Sequence, residues 1–132
     1  MSAFNPIISA VYSRLTGDAT LMSKITGVFD DVPESQAFPY VVIDQADSTP
    51  FVTYDRFGET VSFELYIFSK YRGFKEINDI ASDIQRLLAN VNFNVTGYDP
   101  VACYYDSANA DRANDGDTRV GIQSFRVQLQ KQ

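Results

Sequence analysis

Histidine and tryptophan are absent from this 132-residue chain, and cysteine occurs once. Without histidine the commonest general base and metal ligand is missing. With Cys103 alone, zinc sites and Ser/His or Cys/His catalysis have no parts to be built from. Carboxylate, lysine and tyrosine chemistry stay open. A single cysteine cannot close an internal disulfide, which fits a reducing cytoplasm. Cys103 sits in an apolar strand pattern and reads as a small core residue. No apolar run is long enough to span a bilayer, and the start has no charged region leading into an apolar stretch. A secreted or membrane-inserted product is therefore not expected. Basic charge is also scarce, with 11 Lys and Arg against 17 Asp and Glu, a net charge of −6. Gripping nucleic acid regardless of sequence needs clustered cations, so that class is disfavoured. An acidic wall that DNA slides past is compatible with the balance; ordinary solubility is the simpler explanation.

What is present is apolar and aromatic: 45% hydrophobic residues, with 10 Phe and 8 Tyr. That suffices for one domain, residues 1–132, with its own core. The stretch from Glu59 to Asn90 organises it. Val61, Phe63, Leu65 and Ile67 alternate with Thr60, Ser62, Glu64 and Tyr66, a strand with one apolar face. After Lys70-Tyr71-Arg72-Gly73 the period becomes helical. Ile77, Ile80, Ala81, Ile84, Leu87 and Leu88 share one face, opposite Glu76, Asn78, Asp79, Ser82, Asp83 and Arg86. The helix is expected to lie on the sheet.

Upstream, Asn5-Pro6 reads as an N-cap and first helical position, followed by the stripe Ile7, Ile8, Val11, Tyr12, Leu15. Gly17 is expected as a left-handed stop, and Asp18 as the cap of a short second helix. Val28-Phe29-Asp30 is a short extended piece. Phe38-Pro39 opens a strand through Tyr40-Val41-Val42-Ile43. From Asp47 to Gly58 the pattern is lost, and a long loop is expected. Its Phe51, Val52, Tyr54 and Phe57 either fold back on the domain edge or form an adhesive patch for another subunit. Downstream, Val101 to Ala108 reads as a strand, and Arg112 to Asp117 as a hairpin turn in which Asp115-Gly116 suits positive φ. In the last strand Val120 and Ile122 fall on one parity, while Phe125, Val127 and Leu129 fall on the other. A bulge near Gln123-Ser124 is the expected repair; otherwise one set lies on an exposed face and needs a neighbouring subunit. The expected class is α+β: a mostly antiparallel sheet of about four strands with two helices on one face.

Candidate chemistry is thin. Asp30 and Asp31 are adjacent, so on a strand they point to opposite faces and do not converge on a metal. Asp111, Asp115 and Asp117 lack the calcium-loop pattern. No metal, cofactor or catalytic residue is assigned. Lys70, Arg72 and Lys75 form a basic cluster just ahead of the long helix, against its dipole, which suggests a partner with acidic groups.

Several stretches resemble the tail completion proteins of tailed phages, also described as tail terminator or head–tail joining proteins. Ile7 to Leu15 with Asp18-Ala19-Thr20-Leu21 is similar to that family's opening helix and turn. Val28 to Pro33 followed by Ala37-Phe38-Pro39-Tyr40-Val41-Val42-Ile43 is the most specific match. Phe68 to Gly73 resembles its strand end and basic loop, and Val101 to Leu129 its C-terminal hairpin. The resemblance implies a structural protein of the virion, not an enzyme, that forms a six-fold ring. Such a ring stops tail-tube growth and joins the tube to the head connector, with DNA passing through its bore. The implied partners are other copies of the chain, the tail tube protein and the head connector, with no membrane. The implied location is the virion neck, after assembly in the host cytoplasm. The first candidates for contacts are Phe51, Val52, Tyr54 and Phe57 in the long loop, Lys70 and Arg72, and Arg112, Asp115 and Asp117 in the hairpin. Two other readings compete. One is an adaptor that binds a cellular protein through Phe51 to Phe57. The other is a carboxylate enzyme using Asp30, Asp31 or Glu64.

Overall fold

A computed structural model describes residues 4–52, 57–89 and 95–131. In chain order it holds α1 (Phe4–Thr16), α2 (Ala19–Met22), β1 (Val28–Phe29), β2 (Tyr40–Val52), β3 (Phe57–Ser69), α3 (Lys75–Leu88), β4 (Tyr98–Arg112) and β5 (Arg119–Lys131). The class is α+β. The sheet has five strands in the order β1-β2-β3-β5-β4. The expected number of about four is corrected by β1, a two-residue strand that pairs with β2 in parallel and makes the sheet mixed. The other three pairings are antiparallel.

Alternation along β3 decides which side becomes the core. Val61, Phe63, Leu65 and Ile67 are buried, and the residues between them are half-buried on the other face. The two longer helices cover the buried face, as their spacing requires. Ile7, Val11 and Leu15 of α1 and Ile77, Ile80, Ile84, Leu87 and Leu88 of α3 join β3, Phe125, Val127 and Leu129 in one cluster. Asp83 departs from the expected polar face of α3. It is buried, with Lys24 Nζ 2.7 Å from its Oδ2 and Arg86 3.6 Å from its Oδ1. Arg86 also reaches Asp18 at 2.8 Å. Asp18 in turn caps α2 by accepting from the Leu21 N–H, so the short helix is tied to α3 by charge. Gly17 is not left-handed as expected. The chain folds tightly there instead, its N–H donating to the Ser13 carbonyl at 3.0 Å, and an added Cβ would lie 3.0 Å from that oxygen.

Two expectations about strands are overturned. The stretch from Asp47 to Gly58 is not a long loop: β2 and β3 stay paired as far as Val52 opposite Phe57, leaving only residues 53–56 outside the description. Pro50 is accommodated because β2 has no described strand on its outer side at that level. A bulge between Gln45 and Asp47 resets the phase, so that Ser48 shares the inner face with Val61 and Asp47 does not. The second correction concerns β5, which has no bulge at Gln123-Ser124 and pairs with β3 without a shift from Arg119 to Gln130. The inward positions before Phe125 are filled by Gly121 and Gln123. Gly121 yields space to Ile77, and Gln123 donates from Nε2 to the Ala81 carbonyl at 3.1 Å. Val120 and Ile122 therefore lie on the helix-free face. The bulges of this hairpin belong to β4, between Pro100 and Ala102 and between Tyr105 and Ser107.

Candidate functional site

The sheet has two ends. The β2–β3 connection follows Val52 opposite Phe57, on a level with Gln130 of β5. The β4–β5 turn closes beyond Arg112 and Arg119, on a level with Ser69. The two stretches first favoured for contacts therefore project from opposite ends. Tyr54 lies outside the described residues. Phe51, Val52 and Phe57 belong to strands, not to a free loop.

The β4–β5 turn is built by Asp115. Its Oδ1 accepts from the Asp117 and Thr118 N–H groups at 3.0 and 2.9 Å, and its Oδ2 accepts from the Thr118 hydroxyl at 2.7 Å. The Thr118 amide and hydroxyl hold its carboxyl below the usual range, with the Asp117 amide adding to this. Gly116 supplies the positive φ, +78°. The turn leaves a concavity of about 670 Å³ between itself and the β3–α3 connection, lined by Lys70, Arg72, Arg112, Asp117 and Arg119. Lys75, the third member of the expected basic cluster, is not part of it. It lines a separate hollow with Glu76 and Asp79. Arg119 takes its place and was not anticipated. The available signal was parity, since 119 shares the register of the inward positions Phe125, Val127 and Leu129.

The helix-free face divides in two. Toward the β4–β5 end it is aromatic and branched: Tyr40 stacks on Phe68 with centroids 5.2 Å apart, and Tyr66, Val120 and Ile122 lie nearby on β3 and β5. Toward the other end it is polar, with Thr60, Ser62, Glu64, Ser124, Arg126 and Gln128. Glu64 accepts from the Tyr66 hydroxyl at 3.2 Å and the Ser124 hydroxyl at 3.3 Å. Burial, then the Glu64 charge, pushes the Tyr66 phenol up. Glu64 thus has structural partners, and it lies on β3, away from Asp30 and Asp31 after β1. Among the described residues no three Asp, Glu or Cys side chains stand together as a metal site. Cys103 is buried opposite Val127, and desolvation pushes its thiol up to about 12.

Two long sheet edges are open. From Cys103 to Arg112, β4 pairs with β5 on one side and with no described strand on the other. Beyond Val42, β2 likewise has only β3. On β4, Tyr104 and Tyr105 are 38% and 37% exposed, and the residues from Asp106 to Arg112 are exposed on both faces. A long exposed edge invites pairing with another chain.

Comparison with known proteins gives a consistent picture. The family model for tail completion protein gp17 matches residues 9–130. The chain is 28% identical over 120 residues to tail completion protein gp17 of Bacillus phage SPP1, covering 91% of this chain and 89% of that one. The solved structure of bacteriophage SPP1 gp17 superposes with a TM-score of 0.67 at 27% identity, over 93% of this chain and 88% of that one. A chain in the virion of a native gene transfer agent particle shares the fold, with a TM-score of 0.85 at 24% identity over 92% of both chains.

Proposed function

The chain belongs to the tail completion protein gp17 family, whose members are structural tail-assembly proteins and not enzymes, and from that premise we propose that it works as a ring. The ring caps the tail tube and joins it to the head connector in the virion. The observation that carries this reading is the pair of open edges. Each strand of the sequence β2-β3-β5-β4 is antiparallel to the next, so β2 and β4 run in opposite directions. Rotating one copy about an axis along the strands sets its β2 beside the first copy's β4 in the antiparallel sense. The alternation then continues from subunit to subunit. Different patches meeting head to tail generate a closed ring when the rotation closes, six copies in the form the family resemblance implies.

Two consequences follow for the other surfaces. In a curved two-layer wall the bulkier layer takes the larger radius, so the helices face outward and the helix-free face lines the bore. Its polar half offers no cluster of cations to DNA, which fits passage without gripping. The β2–β3 and β4–β5 ends become the two faces of the ring, one for the tube protein and one for the connector. Residues Phe51, Val52, Tyr54 and Phe57 would serve one face; Lys70, Arg72, Arg112, Asp115 and Asp117 would serve the other. Electron microscopy of particles made without this protein tests the assignment. Unjoined heads and tails are the expected product; normally joined particles would overturn it.

A further inference from the structure

Arg119 has no acidic partner among the described residues. It is 8% exposed, and its Nη1 donates only to the carbonyls of Gly116 and Asp117, at 3.2 and 3.1 Å. Its guanidinium lies 5.8 Å from the Phe74 ring centroid, and its Nε has no hydrogen-bond partner. Directly opposite on the adjacent strand, on the same face, is Arg112. Like charges facing each other across a sheet are destabilising, and a buried charge without a counter-charge is more so. Lys70 and Arg72 line the same concavity. None of the four cations forms an ion pair among the described residues. Among the described residues the only acid lining the concavity is Asp117. Lys70 stands 4.9 Å over the Phe38 ring and acts on Asp115 through its charge, which leaves Arg72, Arg112 and Arg119. In a chain of net charge −6, these arginines around one hollow, against the one acid Asp117, form a site built for negative charge.

We propose that this concavity is a carboxylate-binding site that receives an acidic segment of the protein stacked on the β4–β5 end. The inference rests on the ring reading only in naming that partner. Arginine's planar fork suits the two oxygens of a carboxylate. A phosphate backbone fits less well, because DNA binding needs a continued stripe of cations. Here the stripe is interrupted by Asp117, which lines the hollow beside the cations. The partner's acid would supply the charge that Arg112 and Arg119 lack, so docking relieves a repulsion already present in the free protein.

The test uses the exposed cations, since changing Arg119 risks the fold. Wild-type protein is titrated at low salt with a hexaglutamate peptide and, separately, with a short DNA duplex. The peptide is expected to bind, at least tenfold more weakly to R72E/R112E and nearly unchanged to R72K/R112K. Tighter binding of the duplex, or equal peptide binding by the reversed variant, overturns the proposal. Particles carrying R72E/R112E should show the joining failure seen when the protein is missing. If they join normally while particles without the protein do not, the carboxylate site is wrong and the joining role stands. If both join normally, both fail.

Discussion

Gly121 makes room for Ile77: a Cβ placed on Gly121 would lie 2.6 Å from Ile77 Cγ2 and 3.7 Å from Ile67 Cβ. This pair lets α3 sit close against β5 and explains why Val120 and Ile122 need no bulge. Gly121→Ala is expected to destabilise the protein by about 1–3 kcal/mol through overpacking. Ile77→Val keeps Cγ2, so it should not relieve the clash. Ile77→Ala removes that methyl and should show a coupling of about 1 kcal/mol or more with Gly121→Ala in a double-mutant cycle. Chemical denaturation of the four variants measures it, and strict additivity would refute the close approach.

Cys103 should be inert while the chain is folded. With its thiol pushed up to about 12, the thiolate fraction at pH 8 is on the order of one in ten thousand. Iodoacetamide is expected to modify one site per chain in denaturant and almost none in native protein over the same period, read by intact mass. Native labelling at the rate of a free thiol would contradict the placement of Cys103 in the core.

Acid should loosen the β4–β5 turn and the α2 cap. The Thr118 groups lower the pKa of Asp115, and the Arg86 side chain, then the Leu21 amide, lower that of Asp18. Both folded pKa values lie below the unfolded ones. Their contribution is therefore complete above about pH 4 and is lost as pH falls through the folded values. D18N/D115N is expected to melt lower than wild type at pH 7 and to lose less on going from pH 4 to pH 2. Parallel melting curves across that range would exclude both carboxyls as the source of acid sensitivity.

Legibility followed the strength of the pattern. β3 and α3 could be read because each carries a full apolar period, and the Asp115-Gly116 turn because its geometry demands those residue types. The far half of β2 could not be read. An edge strand tolerates Pro50 and has no need of a continuous apolar face, so Asp47 to Val52 looked like loop. The last strand misled because Gly121 and Gln123 occupy inward positions, each justified only by a helix distant in sequence, while Val120 and Ile122 supply apolar character on the other face. Arg119 escaped notice because its burial depends on Phe74 and the turn closing over it.

Hydrogen exchange along the open edge tests the assembly role most directly. Amides of β4 between Cys103 and Arg112 alternate between bonding to β5 and facing outward. In free protein the outward set should exchange quickly. In assembled particles the same amides, with the outward-facing ones of β2 between Ser48 and Val52, where Pro50 has none, should slow by roughly tenfold or more as neighbouring copies pair edge to edge. Identical exchange of both edges in free and assembled protein would contradict a ring held by its sheet.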